Sequence, residues 1–262
     1  MKAAVAQAIA TLPDLRFDSR SYPAMTTAPT VVLVHGAFAD SSSYNGVIEI
    51  LAAEGIPVLA AANPLRGLTS DAAYIASVVD SIDGPVVLAG HSYGGSVISV
   101  AAQGKPEVKA LVYLAAFIPA EGESALELTD KFPGSTLGPT TRPASYPAAD
   151  GAEATELYIR RDEFPQQFAG DVPAATAAAM AVTQRPVAVA ALQEPAAAAA
   201  WTTIPAYALL TTEDKNIPVE AQRFMAERAG ADTVEIAASH AVTVSRPDAA
   251  AELILRAVRA IG

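Results

Sequence analysis

Gly90-His91-Ser92-Tyr93-Gly94-Gly95 is the stretch on which the reading of this 262-residue chain turns. It follows Pro85-Val86-Val87-Leu88-Ala89, an apolar run that predicts a buried strand, and it opens a segment with helical character reaching about residue 103. G-x-S-x-G set between a strand and a helix predicts a sharp turn with the serine at its apex. Gly90 and Gly94, small neighbours on either side, permit that strained backbone. Such a turn aims the Ser92 hydroxyl into a cleft at the carboxyl edge of a sheet and leaves backbone N–H groups at a helix N-terminus. The competing reading is a phosphate-cradling turn of a nucleotide-binding fold, but neither G-x-G-x-x-G nor a P-loop lysine is present.

Working outward, the strand–helix rhythm repeats. Thr30-Val31-Val32-Leu33-Val34 reads as a buried strand ended by His35-Gly36, and Ser41-Ser42-Ser43 predicts the cap of a helix reaching about residue 54. A strand over 57–61, a helix from Ser70 or Asp71 to about residue 82, and a strand over 108–114 follow. This alternation predicts an α/β protein with a mostly parallel central sheet flanked by helices. The rhythm breaks near Pro119. Residues 119–200 are rich in Ala and Pro, with helices predicted at 152–161, 173–182 and 187–193. It resumes with a strand over 205–211, a helix over 219–230, a strand over 232–236 and a last helix over 247–260. The predicted organisation is an N-terminal extension over 1–29 with one short strand around 15–22, a core domain made of 30–118 and 201–262, and a helical cap inserted at 119–200.

Serine is a weak nucleophile and needs a base. Of the three histidines, His35 closes a strand, and His91 adjoins Ser92 with a side chain that must diverge from it. His240 lies late in the chain, in a loop after the last strand at the carboxyl edge, and is the candidate base. Thr211-Thr212-Glu213-Asp214-Lys215 follows a strand directly, so its acids reach the same edge. Asp214 is favoured over Glu213 as the group that orients the imidazole, in the chain order Ser, Asp, His. An oxyanion needs two preorganised donors. The backbone N–H of Tyr93 is one candidate; the other is the N–H of Ala37, with Phe38 in reserve, in the turn where Gly36 permits close approach. Phe38, Tyr44, Tyr93 and Phe117 are candidates either for the substrate pocket or for ordinary core packing.

The chain holds 17 basic and 28 acidic residues, a formal charge of −11, which repels nucleic acid and anionic membrane surfaces. With no cysteine, disulfides, thiolate catalysis and cysteine-ligated metal are excluded. No apolar run reaches the roughly 18–20 residues of a membrane span. The first ten residues carry a short apolar stretch broken by Gln7, so a cytoplasmic location is predicted, with secretion the lesser alternative.

Val34-His35-Gly36-Ala37-Phe38, the Gly90–Gly95 stretch and Leu114-Ala115-Ala116-Phe117-Ile118-Pro119 together resemble the α/β-hydrolase family. Within it they are most similar to small bacterial esterases and to the plant methylesterase and hydroxynitrile lyase branch. The resemblance implies an eight-stranded sheet, usually with an antiparallel second strand, whose first hairpin is here lacking or reduced to a remnant in 1–29. It implies a helical cap over the active site, no metal and no organic cofactor. The activity it implies first is cleavage of a carboxylic ester through an acyl-enzyme. Lyase chemistry on the same triad is a second reading, for which that branch needs a lysine near the oxyanion site; Lys215 alone lies near the motifs. A perhydrolase or haloperoxidase and a ligand receptor with a slow triad are the others. The partner is a small-molecule ester, with neither nucleic acid nor membrane, and the protein is a monomer or homodimer.

Residues 119–200 contain eleven acids and five bases, a charge of −6. A cap so charged places the cleft entrance under a negative potential and disfavours anionic substrates. A neutral, small-to-medium, moderately apolar ester is therefore expected. Arg160-Arg161, turned inward, would reverse that preference locally.

Overall fold

The computed structural model of the chain describes residues 29–149 and 151–261. The first half alternates strands and helices: β1 (Thr30–Val34), α1 (Asn45–Ala53), β2 (Val58–Ala61), α2 (Leu68–Asp80), β3 (Val86–His91), α3 (Tyr93–Ala101) and β4 (Val108–Leu114). A short 3-10 turn, Ser41–Tyr44, precedes α1 and is capped by Asp40, whose carboxylate accepts the Ser42 N–H at 2.7 Å. The middle segment holds α4 (Ala125–Asp130), α5 (Leu137–Thr140), β5 (Thr141–Pro147), β6 (Glu153–Ile159), α6 (Phe164–Phe168), α7 (Ala174–Thr183), β7 (Val187–Ala188) and α8 (Val189–Gln193). The chain then returns with β8 (Ala206–Thr211), α9 (Val219–Arg228), β9 (Asp232–Ile236), α10 (Val242–Ser245) and α11 (Pro247–Ile261).

The central sheet has the order β2-β1-β3-β4-β8-β9, and every pair of neighbours is parallel. Side chains alternate across it. Val32, Val34, Leu88, Leu111 and Tyr113 enter one buried cluster, and Val31, Leu33, Val87, Ala89, Val112 and Leu114 the other. Burial on both faces is why these strands read as continuous apolar runs. The second face is covered by α1 and α11, the latter burying Leu253, Ile254, Leu255 and Val258 along one stripe. The register sets Val34 beside Gly90, His91 beside Leu114, and Leu114 beside Leu209, so β1, β3, β4 and β8 end at one edge. The loops after them, and after β9, carry the candidate site.

Two expectations are corrected. Among the described residues the central sheet has six strands and no antiparallel member; the strand expected around 15–22, and the hairpin remnant, lie outside the described residues. The segment 119–200 is not wholly helical. The helix expected over 152–161 is β6, and 187–193 divides into β7 and α8. β5, β6 and β7 form an antiparallel sheet, with β5 and β6 paired at seven positions. Ala, Glu and Arg favour helix there, but Thr155, Leu157 and Ile159 recur at period two, and pairing with a partner strand overrides a weak local preference.

Candidate active site

Ser92 joins β3 to α3 with φ 54° and ψ −124°, a conformation that non-glycine residues rarely adopt. Its N–H donates to the Leu114 carbonyl at 3.2 Å, and its own carbonyl accepts the N–H groups of Gly95 at 2.9 Å and Phe117 at 3.2 Å. The strain is thus held from both sides. A Cβ at Gly94 would lie 2.2 Å from the Val34 carbonyl oxygen, and one at Gly36 would lie 2.6 Å from the Ser92 Cβ. Glycine is required at both because the backbone and the Ser92 side chain approach too closely for any Cβ.

His240 stands between β9 and α10, buried at 1 % exposure. Its Nε2 lies 2.9 Å from Ser92 Oγ and its Nδ1 lies 2.7 Å from Asp214 Oδ2. A carboxylate at Nδ1 accepts the ring proton on that side and leaves the Nε2 lone pair facing the serine hydroxyl. Asp214 follows β8. Its Oδ1 accepts the N–H groups of Asn216 at 2.7 Å and Ile217 at 3.0 Å, and its Oδ2 also accepts from Thr211 Oγ1 at 3.2 Å and Gln222 Nε2 at 3.1 Å. Glu213, its rival, is exposed, and no hydrogen bond joins it to His240.

The Ala37 N–H has no hydrogen-bond partner among the described residues. The Tyr93 N–H, on the first residue of α3, has no acceptor within its helix. Both residues line the same cavity as Ser92. The Phe38 N–H is engaged with the Arg185 carbonyl at 3.0 Å, which removes it as the reserve donor. That bond also holds Phe38 at φ 60°.

His91 does diverge from Ser92. Its Nε2 donates to the His240 carbonyl at 2.8 Å, and its ring centroid lies 4.8 Å from that of His240. Burial first, and then the neighbouring His240, push its pKa down to about 3. A neutral imidazole there adds no repulsion when His240 takes up a proton. Burial likewise lowers His35 to about 4, against a bond from its Nδ1 to the Gly36 carbonyl that works the other way.

The cavity above Ser92 measures about 420 Å³. Phe38, Tyr93 and Phe117 line it, together with Leu126, Thr129, Phe132, Leu137 and Leu157 from the middle segment. Tyr44 does not. It is fully buried in the cluster on the other sheet face, and its hydroxyl donates to the Val34 carbonyl at 3.2 Å, so its assignment to the pocket is corrected to core. Asp130 is the one charged residue of that lining. Lys215 is exposed and absent from it. Arg160 gives its guanidinium to the carbonyls of Pro139 and Thr141 at 2.7 and 3.2 Å, and Arg161 is exposed; neither lines the cavity. Sequence reasoning did not find Thr211, Asn216, Ile217 and Gln222 around Asp214. Only the spacing of Gln222 one turn into the helix after the acid offered a signal. Among the described residues no cluster of three or more His, Asp or Glu side chains is placed to hold a metal ion. Nor is any helix of theirs long and apolar enough to cross a membrane.

A strained serine at a strand–helix turn, with a histidine and an acid presented from later loops of the same sheet edge, defines a class. The chain belongs to the Alpha/beta hydrolase family, which it matches over residues 31–253. It is 29% identical to a pyrethroid hydrolase of Sphingobium wenxiniae over 249 residues, 87% of each chain. It is 34% identical to a carbendazim hydrolyzing esterase of Nocardioides sp. over 113 residues, 38% of this chain and 47% of that one. Among solved structures, polyneuridine aldehyde esterase superposes with a TM-score of 0.75 at 21% identity, over 87% of this chain and 98% of the other. A methylesterase from Arabidopsis does so with a TM-score of 0.73 at 17% identity, over 88% and 99%.

Proposed function

We propose that the protein is a serine hydrolase that cleaves a neutral, small-to-medium carboxylic ester through an acyl-enzyme. One observation carries this reading: the unbroken Ser92–His240–Asp214 chain, at 2.9 and 2.7 Å, set against a largely apolar cavity. Ser92 Oγ attacks the ester carbonyl while His240 Nε2 removes its proton, and Asp214 holds the ring and stabilises the resulting cation. The carbonyl oxygen, now negative, receives the N–H groups of Ala37 and Tyr93. As the tetrahedral species collapses, the carbon–oxygen bond to the alcohol breaks and His240 returns the proton to the departing oxygen. Water, deprotonated by the same nitrogen, then attacks the acyl-serine; the carbon–oxygen bond to Ser92 breaks, His240 returns the proton to Ser92 Oγ, and the acid is released. Residues 119–200 act as a cap that supplies much of the cavity wall. The names of the relatives favour hydrolysis over the lyase reading, and Lys215, the lysine nearest the motifs, is exposed and does not line the cavity, which speaks against that reading.

The test is a set of p-nitrophenyl esters of graded acyl length. We expect the specificity constant to peak at a short-to-medium neutral acyl group. A protein inactive on all of them, while folded, would contradict the proposal.

A further inference from the structure

The loop that carries the base, Ala237-Ala238-Ser239-His240-Ala241, has small side chains apart from His240 itself, and Ala238 to Ala241 are buried. The carbonyls of Ala238 and His240 accept from the Glu213 N–H at 3.1 Å and from His91 Nε2 at 2.8 Å, whereas Ser239 and Ala241, the residues on either side of His240, donate to the inserted segment. The Ser239 N–H donates to Asp171 Oδ2 at 3.1 Å, and its hydroxyl donates to Asp171 Oδ1 in a short hydrogen bond. The Ala241 N–H donates to the Phe168 carbonyl at 3.0 Å. The Phe168 ring meets the His240 ring at 82° with centroids 4.9 Å apart, and stacks on Phe164 at 4.9 Å. Phe168 and Asp171 belong to the inserted segment, not to the sheet that presents Ser92 and Asp214. Ser239 is buried at 5 % exposure and Phe168 at 1 %, whereas Asp171 stands at the surface with its carboxylate on Ser239.

We propose that Asp171 is a positioning residue for the reaction: by binding both polar groups of Ser239 it fixes the peptide plane that aims His240 at Ser92. The proposal rests on the reading of His240 as the base. A carboxylate that accepts an N–H and an O–H from one residue makes two charge-assisted bonds of fixed direction, a stronger constraint than a neutral pair. The inserted segment is therefore part of the machinery that aligns the base, not solely a wall of the cavity.

Asp171→Asn keeps the shape but removes the charge and puts an amide N–H where the Ser239 hydroxyl donates; the hydroxyl must turn to accept, so its charge-assisted bond is lost and only neutral bonds remain. We expect kcat per active site, counted by organophosphonate titration, to fall about tenfold, the scale of one lost charge-assisted hydrogen bond, with KM within about twofold of the original. Asp171→Glu restores part of the rate. Ser239→Ala alone is milder, and the double variant is no worse than Asp171→Asn, because both remove one interaction. The far-downfield proton resonance between His240 Nδ1 and Asp214 broadens in Asp171→Asn while the thermal midpoint barely moves. A kcat per titrated serine within about twofold of the original in Asp171→Asn overturns the proposal. So does a rate loss matched by a falling thermal midpoint with that resonance unchanged, the mark of a merely structural role. Retained activity in Ser92→Ala would remove the underlying reading and this proposal with it; an inactive Ser92→Ala beside an unaltered Asp171→Asn overturns this proposal alone.

Discussion

The Phe38 N–H donates to the Arg185 carbonyl at 3.0 Å, and this bond ties the turn after the first strand to the inserted segment. The preceding amide, on Ala37, has no partner among the described residues and lines the cavity beside Ser92. A donor already engaged cannot take the charge that develops on a substrate oxygen, which favours Ala37 over Phe38 for the proposed role. Ala37→Pro deletes that N–H and is expected to raise the barrier by roughly 3 kcal/mol, seen as a fall in kcat, while Ala37→Gly stays mild. Circular dichroism must find the proline variant folded. A folded, fully active Ala37→Pro protein would return the role to another group.

Asp214 is held by four donors besides His240, whereas Glu213 is exposed. Asp214→Asn is expected to lower kcat by about 10⁴, because an amide at that place favours the wrong imidazole tautomer. Glu213→Gln will change it by no more than about twofold. Steady-state rates on one chromogenic ester decide the matter, and the reverse order would make Glu213 the third member.

Stability is expected to depend on pH through the two other histidines. Burial keeps His35 neutral down to about 4 and His91 down to about 3, whereas in the unfolded chain both titrate near 6.5. As pH falls through 6.5 the unfolded chain takes up protons that the folded chain refuses. Stability is therefore full above that value, drops as pH falls, and the loss levels off only below each folded value. Between pH 7 and pH 5 each histidine costs about 2 kcal/mol. Urea unfolding at the two pH values measures the sum. His35→Gln should flatten the slope by close to one proton, and an unchanged slope would contradict the burial of a neutral ring.

Much of this was legible in the sequence. The apolar runs Val31–Val34 and Ala110–Leu114 are buried on both faces, so composition alone marked them. The G-x-S-x-G turn was legible because close approach forbids side chains at Gly90 and Gly94. What was not legible depends on distant partners. The β6 segment reads as helix until β5 pairs with it. Tyr44 looks like a pocket aromatic until its hydroxyl is seen on the Val34 carbonyl on the far side of the sheet. Asp171 reaches Ser239 across 68 positions of chain, a contact no local pattern encodes.

Substrate charge follows from the inserted segment, whose eleven acids outnumber five bases and whose Asp130 lines the cavity. With Arg160 tied to two carbonyls, no guanidinium is offered to a substrate carboxylate there. A matched ester pair differing only by a terminal carboxylate will therefore favour the neutral member, and the preference will shrink at high salt as the field is screened. A higher specificity constant for the carboxylate ester, abolished by Arg160→Ala or Arg161→Ala, would contradict this.

The most direct test of the account is covalent. The protein treated with a serine-directed organophosphonate is digested and the adduct mapped by mass spectrometry, with Ser92→Ala run alongside. One adduct is expected, on Ser92, with loss of activity in step with labelling and no labelling of a folded Ser92→Ala protein whose turnover has fallen by about 10⁴–10⁶. An adduct on another serine, or a Ser92→Ala protein that still turns over ester at the original rate, would contradict it.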